Sequence, residues 1–136
     1  MYVQLGLVDL ISAVQKKIEA KTGLKCYDAV AKNAKPPFYF AEVVSKRPAH
    51  TKTMWRDVFT VYIHCIAKAS ASSVEVYRLI QNVQEALTED INLPDGFDLL
   101  MQTDNGIQII KTDETNEKHA VLSYEFTVCY GFKVKI

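Results

Sequence analysis

The sequence has little that could cross-link the chain or hold a metal ion. Its three cysteines, Cys26, Cys65 and Cys129, are an odd set with wide gaps, and they show no CxxC or Cys/His spacing of a zinc site. Cys65 and Cys129 lie in apolar runs, where a thiol usually serves as a small hydrophobic side chain. We therefore exclude a disulfide scaffold and expect a reducing compartment.

The sequence also shows no excess of charge and no run typical of a membrane span, and a signal peptide is not expected. Lys and Arg number 16 and Asp and Glu number 16, so the chain lacks the basic excess of a general polyanion binder. No run approaches the roughly 18 apolar residues of a membrane span. The N-terminus has no basic start and carries Asp9, which is atypical of a signal peptide. With 5 Gly and 4 Pro in 136 residues, a single globular domain over 1–136 is expected.

The short motifs that mark most enzymes and cofactor sites are absent as well. The three histidines belong to no HExxH, GxSxG or HxE…CxxC pattern, and no glycine-rich phosphate loop is present. The acidic residues at 113–117 lack the spacing of a calcium loop, and a solvated turn explains them better. We predict no catalytic residue, no metal site and no cofactor.

Two segments have the period of an amphipathic helix. The first covers residues 5–21 and is followed by Gly23 as a C-terminal stop. The second begins at a capping box formed by Ser72 and Glu75 and runs to about residue 88. The apolar stripes predicted to face the core are Leu7, Val8, Ile11, Val14 and Ile18 in the first helix, and Val76, Ile80, Val83 and Leu87, with Tyr77 and Leu79, in the second.

Six segments predict β-strands. The third is apolar on both faces, which indicates a central strand covered on both sides. Asp104-Asn105-Gly106 predicts a hairpin turn between the fourth and fifth strands. The last strand alternates apolar and polar residues from Leu122 to Ile136, so one buried face is expected, with a bend at Gly131 or an end that packs on a neighbour. The six segments are 25–30, 38–44, 54–68, 97–102, 107–112 and 122–136.

These elements follow one another in the order α-β-β-β-α-β-β-β. Two amphipathic helices have enough apolar surface to cover one face of a sheet. We therefore predict an α+β domain in which two amphipathic helices pack on one face of a largely antiparallel sheet.

Residues 45–53 are predicted to form a loop or a long hairpin tip, as part of a flexible basic loop over about 45–56. Trp and Arg are favoured anchors of protein interfaces, so this segment is a candidate interaction loop. The alternative is an exposed loop whose tryptophan packs back on the core. One short basic loop supplies few phosphate contacts, and we expect no sequence-specific nucleic-acid binding. The candidate residues are Lys46, Arg47, His50, Lys52, Trp55 and Arg56.

The charges divide unevenly between the two halves of the chain. Residues 1–68 hold eleven Lys or Arg and five Asp or Glu, whereas residues 69–136 hold five Lys or Arg and eleven Asp or Glu. Such a division gives complementary surfaces to two copies of a chain, or it cancels across a single fold.

Several segments together resemble the tail-completion, or tail-terminator, proteins of long-tailed phages and prophages. The first helix precedes Lys25-Cys26-Tyr27-Asp28-Ala29-Val30, which is similar to the "VYDxVP" segment of that family. Pro37-Phe38-Tyr39-Phe40 with Glu42-Val43 resembles its "PYxxxG/E" strand. Residues 51–53 and 59–64 resemble its long strand pair, residues 72–76 the start of its second helix, and Asp113 with residues 119–126 its closing strand.

The resemblance implies a structural protein of the virion and no enzyme. Such proteins form a ring, typically sixfold, that caps the tail tube and joins it to the head connector. The implied partners are copies of the chain itself, the tail tube protein and the head connector protein, without a membrane. The implied locations are the host cytoplasm during assembly and then the tail–head junction of the virion.

Three other functions stay open from the sequence. One is another head–tail connector or a minor tail protein. The second is a small-ligand or enzyme domain with a pocket between sheet and helices, for which Tyr27, His64 and Tyr124 would supply the polar groups. The third is a nucleic-acid adaptor that binds through Lys46, Arg47 and Lys52 of the basic loop.

Overall fold

The computed structural model describes residues 3–29 and 34–133. Val30, Val134 and Ile136, at the ends of two predicted strands, lie outside these residues. Within the described part, no helix is both long and apolar enough to cross a membrane. The elements are α1 (Leu7–Thr22), β1 (Cys26–Tyr27), β2 (Phe38–Pro48), β3 (Met54–Ile66), α2 (Val74–Ala86), β4 (Asp98–Thr112) and β5 (Lys118–Phe132).

The strands form one sheet in the order β1-β2-β3-β5-β4. Among the strands of the described ranges, only the two-residue strand β1 is parallel to its neighbour, β2, and the other three pairs are antiparallel. α1 packs on β1 and β2, and α2 packs on β3 and β5. The structure confirms the predicted α+β class, with both helices on one face of a largely antiparallel sheet.

The prediction of a hairpin between the fourth and fifth strands is wrong, and the element order is therefore α-β-β-β-α-β-β. Residues 98–112 form the single strand β4 instead of two strands joined at Asp104-Asn105-Gly106. Gly106 does have a positive φ of 91°, but it serves a β-bulge, because the register of β4 against β5 shifts between Asp104 and Ile107. The Asp104 carboxylate accepts a 2.7 Å hydrogen bond from the Gly106 N–H and supports this bulge.

The last strand, β5, lies between β3 and β4, so it is not a sheet edge. Its residues are buried on both faces from Ala120 to Ser123 and from Phe126 to Cys129, which differs from the single buried face that we predicted. Period-two alternation reveals which residues share a face. It does not reveal that a neighbouring strand lies on each side.

The core lies between the two helices and the sheet. α1 contributes Leu10, Val14 and Ile18, and α2 contributes an apolar stripe that includes the predicted Val76 and Ile80. Three side chains of the predicted stripes are instead exposed, namely Leu7 and Val8 on α1 and Tyr77 on α2.

The capping box predicted at the start of α2 does not form. Ser72 Oγ accepts a hydrogen bond from the Val74 N–H at 3.2 Å. The Glu75 carboxylate does not reach back to Ser72 and accepts the N–H of Lys68 at 2.8 Å. Glu75 therefore fastens the connection between β3 and α2, and the helix N-cap, Ser73, makes no side-chain capping bond.

Candidate functional site: the two edges of the sheet

Most of the predicted basic loop belongs to a β-hairpin. β2 runs to Pro48 and β3 starts at Met54, so only residues 49–53 form the tip. The tip is closed by main-chain hydrogen bonds from Ala49 N–H to the Arg56 carbonyl and from Thr51 N–H to the Met54 carbonyl, at 2.9 and 3.0 Å. The predicted loop over 45–56 is thus too long, because alternation in a strongly basic segment is hard to recognise as a strand.

The candidate residues of this hairpin divide into three groups. His50, Trp55 and Arg56 pack on one another at the tip. The His50 ring meets Trp55 edge-on at 4.9 Å between centroids, and His50 Nδ1 accepts the Arg56 N–H at 3.0 Å. Lys133 Nζ lies 4.2 Å from the centroid of the half-buried Trp55 ring, so the tryptophan is a packed residue within the hairpin.

Lys46 and Arg47 lie on opposite faces of β2 and each contact an acid of the same chain. Lys46 Nζ is 3.8 Å from the buried carboxylate of Asp57 and 2.7 Å from the amide oxygen of Gln4. Arg47 reaches across the sheet to Glu125, at 3.8 Å. The sixth candidate, Lys52, is exposed at the tip. All six candidate residues therefore belong to one hairpin, whose strand β2 lies towards one edge of the sheet.

The opposite side of the sheet is the strand β4, which the sequence did not single out. Among the described residues, β5 is the one strand that pairs with β4. Five apolar side chains of this edge strand are substantially exposed, which is unusual for an edge because it favours pairing with another chain. They are Leu100, Met101, Ile107, Ile109 and Ile110.

β4 is tied to a neighbouring segment by side-chain hydrogen bonds although its outer edge is open. The Gln102 side chain accepts the N–H of Ile91 at 3.0 Å and donates to the carbonyls of Leu87 and Glu89, at 2.9 and 2.8 Å. These three bonds tie β4 to the segment that follows α2. The exposed apolar residues therefore stand on an ordered strand.

The other edge of the sheet is partly open and borders a cleft. β1 covers β2 only at Tyr39 and Phe40, and in the described ranges no strand pairs with the outer edge of β2 from Glu42 to Pro48. A cleft of about 510 Å³ lies beside this edge, between α1 and β2. Its apolar lining residues are Leu7, Val8, Ile11, Ala41 and Val43.

The two edges carry opposite charge. Residues 42–53, at the β2 edge and the tip, contain three Lys or Arg and one Asp or Glu. Residues 98–117, in β4 and the turn after it, contain five Asp or Glu and one Lys. The uneven distribution of charge between the two halves of the sequence thus becomes a separation of basic and acidic residues across the width of the sheet.

A histidine pair lies on the face of the sheet that the helices leave uncovered. His64 Nδ1 and His119 Nε2 are 2.8 Å apart, and His64 Nε2 is 3.0 Å from Glu42 Oε1. Phe40 stacks on the His64 ring at 3.9 Å between centroids. Burial and the neighbouring His64 lower the pKa of His119 to about 4, so a neutral, packed His119 is favoured. Across the described residues, no group of three or more potential ligands is arranged for a metal ion.

The polar groups of the small-ligand alternative do not converge. Tyr124 lies in the core beneath the helices, where its hydroxyl donates to Asp104 at 3.4 Å. His64 lies on the other face of the sheet, and Tyr27 packs edge-on against Phe38 there. A single pocket cannot use all three residues, because the sheet separates them.

Comparisons with known proteins identify a family and a shared fold. A family model described as "Putative tail termination protein" matches residues 1–136. No curated protein sequence matches the chain significantly. A chain of the solved structure "Virion of native gene transfer agent (GTA) particle" is similar, with a TM-score of 0.69 at 18% identity over 93% of this chain and 99% of that chain. Likeness at this identity shows a shared fold.

Proposed function

Because the chain belongs to the phage tail termination protein family, we propose that it caps the growing tail tube and joins it to the head connector. The observation that carries this proposal is the family match over the whole chain. Proteins of this family are structural, so their function depends on surfaces and needs no catalytic group. The two edges of the sheet are the surfaces of this chain that are suited to such a role.

The proposed active form is a closed ring, with six copies as the expected number. A ring needs two different patches on each copy, because every contact joins one patch to the other patch of the next copy. The chain offers such a pair in its basic β2 edge and its acidic β4 edge. Opposite charges on the two patches favour the correct register and fast association more than they add affinity.

We assign the hairpin tip to contacts with the tail tube or the head connector, which would stack on either side of the proposed ring. Residues 49–53 lie between the end of β2 and the start of β3, at one end of the sheet. Lys52 and His50 are exposed there, and Arg56 and Trp55 support the tip. An acidic surface of the tail tube protein or of the head connector protein would complement this tip.

Such a ring stops tube growth because its outer face lacks the self-matching surface of the tube protein. It would assemble in the host cytoplasm and stay in the virion at the tail–head junction. Nothing in this role requires a nucleic acid or a membrane as partner.

The experiment is polymerisation of the cognate tail tube protein with and without this chain, followed by electron microscopy. We expect shorter tubes, with a ring of density at one end, once the chain is present. Unchanged tube lengths without added end density would contradict the proposal. Bovine serum albumin at equal concentration controls for non-specific effects on polymerisation.

A further inference from the structure

We propose that the ring closes by edge-to-edge pairing, with β4 of one copy along β2 of the next and Ile107 of β4 seated in the cleft beside α1. The partner is a second copy of this chain. The inference rests on the proposed ring and goes further, because it assigns the two patches and the residues that fill them.

The first argument is that the two open edges match in position along the strands. Through the paired residues of β3 and β5, Ser45 is level with Thr103, and Arg47 is level with Met101. Both stretches have regular pairing, because the register shifts of β2 and β4 lie outside 45–48 and 101–104. If the ring axis runs parallel to the strands, rotation from one copy to the next leaves the position of every residue along that axis unchanged. It therefore brings these two regular stretches together.

The strand directions also agree. β2 is antiparallel to β3, β3 to β5, and β5 to β4, so β2 and β4 run in opposite directions. The same rotation preserves these directions, so β4 of one copy meets β2 of the next as an antiparallel neighbour. The outward N–H and C=O groups of the two edges then satisfy one another, as in other complexes that extend a sheet.

The second argument is the fit of Ile107 to the cleft. Ile107 pairs with Leu122, whose side chain lies beneath the helices, so Ile107 points to the helix side of the sheet. Ile107 is level with Ala41, which lines the cleft. In the next copy, the cleft therefore lies opposite Ile107 at the same height and on the same face.

Exposure supports this assignment on both sides of the contact. Ile107 is 45% exposed, and Val8 at the rim of the cleft is 82% exposed. Leu7 and Val8 belong to the apolar stripe of α1 but do not face the core of their own chain. Burial of these side chains between copies removes apolar surface from water, which is the main driving force of association.

The third argument is charge. The edge that carries Lys46 and Arg47 meets the edge that carries Asp98 and Asp104, and the signs are opposite. At matched levels, Lys46 lies across from Gln102 and diagonal to Asp104. Pairing of two β4 edges would instead bring like charges together, so the charge pattern favours the head-to-tail contact.

The test measures the mass of purified chains by light scattering after size exclusion. We expect wild type to form the ring and Ile107→Glu and Val8→Glu to be monomers, because each places a carboxylate in an apolar contact. Association should weaken at least about tenfold. The control is Val74→Glu on α2, which changes a 51% exposed valine away from both edges and should leave the ring intact. Both test residues are exposed, and circular dichroism checks that each variant is folded.

A mixture of the two variants gives a sharper result. Ile107→Glu keeps an intact cleft and Val8→Glu keeps an intact β4 edge, so the mixture has one working contact. We expect 1:1 dimers that grow no further. Rings formed by either variant alone, or a mixture that stays monomeric, would overturn the edge-to-edge assignment.

The same variants separate this inference from the proposed function. If wild type is a monomer in solution, the readout moves to tubes capped in the polymerisation experiment, where Val74→Glu should cap and Ile107→Glu should not. If wild type and Ile107→Glu each cap tubes when added alone, the result overturns this inference and leaves the proposed function standing. Wild type that neither forms rings nor caps tubes would overturn both.

Discussion

The hydroxyl of Tyr39 donates a 2.9 Å hydrogen bond to the main-chain carbonyl of Leu79 inside the core. Tyr39 lies on β2 and Leu79 on α2, so the bond fixes the second helix to the strand that forms one open edge of the sheet. Burial raises the pKa of Tyr39 far above its usual value, which keeps the hydroxyl protonated and able to donate.

We expect Tyr39→Phe to lower the free energy of unfolding by about 1 kcal/mol, because a buried hydrogen bond is lost while the ring still fills its site. Denaturant unfolding measures the change. Tyr77→Phe, at an exposed tyrosine of α2, is the matched control and should have almost no effect. Equal stability of Tyr39→Phe and wild type would show that this bond contributes nothing to the fold.

Two glycines with different backbone conformations give a second prediction. Gly106 has a φ of 91° in the bulge of β4, where an L side chain is strained, whereas Gly6 has an ordinary φ of −73°. Gly106→Ala should cost about 1–3 kcal/mol of unfolding free energy. Gly6→Ala should cost less, because Gly6 is the N-cap of α1, where alanine is a poorer cap than glycine but its backbone is not strained. Thermal unfolding of both variants checks the difference, and the reverse order would argue against the bulge.

The His64–His119 pair predicts a pH dependence of stability. The ordinary pKa of the His119 ring is 6.5, and the fold lowers it to about 4 by burial, by His64 and, to a smaller extent, by Lys111, while Asp113 opposes the shift. Between these values the unfolded chain binds a proton that the folded chain does not. The folded state is therefore favoured above pH 6.5 and loses stability as the pH falls towards 4.

His119→Gln removes this contribution and keeps a polar side chain of similar size. Carboxylates lie near the pair, among them Glu42 and Asp113, so the relevant quantity is the difference in stability between wild type and variant. We expect the stability of wild type relative to His119→Gln to decrease from pH 7 to pH 5. A difference that does not change with pH would contradict the lowered pKa.

The sequence was most informative where one face of an element packs on the core. The period of 3.6 residues located both helices, and the apolar character of β3 correctly placed it inside the sheet. The sequence was less informative where the same backbone conformation occurs in two different kinds of structure. Asn105-Gly106 supplies a positive φ, which a hairpin and a bulge both require.

The open edges could be predicted only in part. Leu7 and Val8 make the apolar stripe of α1 wider than its contact with the core requires. The widening is visible in the sequence, but most apolar stripes face a core, so the pattern alone predicts that both side chains are buried within the chain. The exposed isoleucines of β4 could not be recognised before its place in the sheet was known. The order of strands depends on contacts between distant segments, and those contacts leave no local pattern.

The central claim is that copies of this chain join head to tail through the β2 and β4 edges. Its most direct measurement is cross-linking of the double variant Ser45→Cys/Thr103→Cys with a short bismaleimide under conditions that form the ring. The three native cysteines are buried, and burial raises the pKa of Cys26 to about 12, so they should not react. We predict a ladder of covalent oligomers that ends at the ring, and no ladder from either single variant. A dimer from a single variant, or no ladder from the double variant, would contradict the claim.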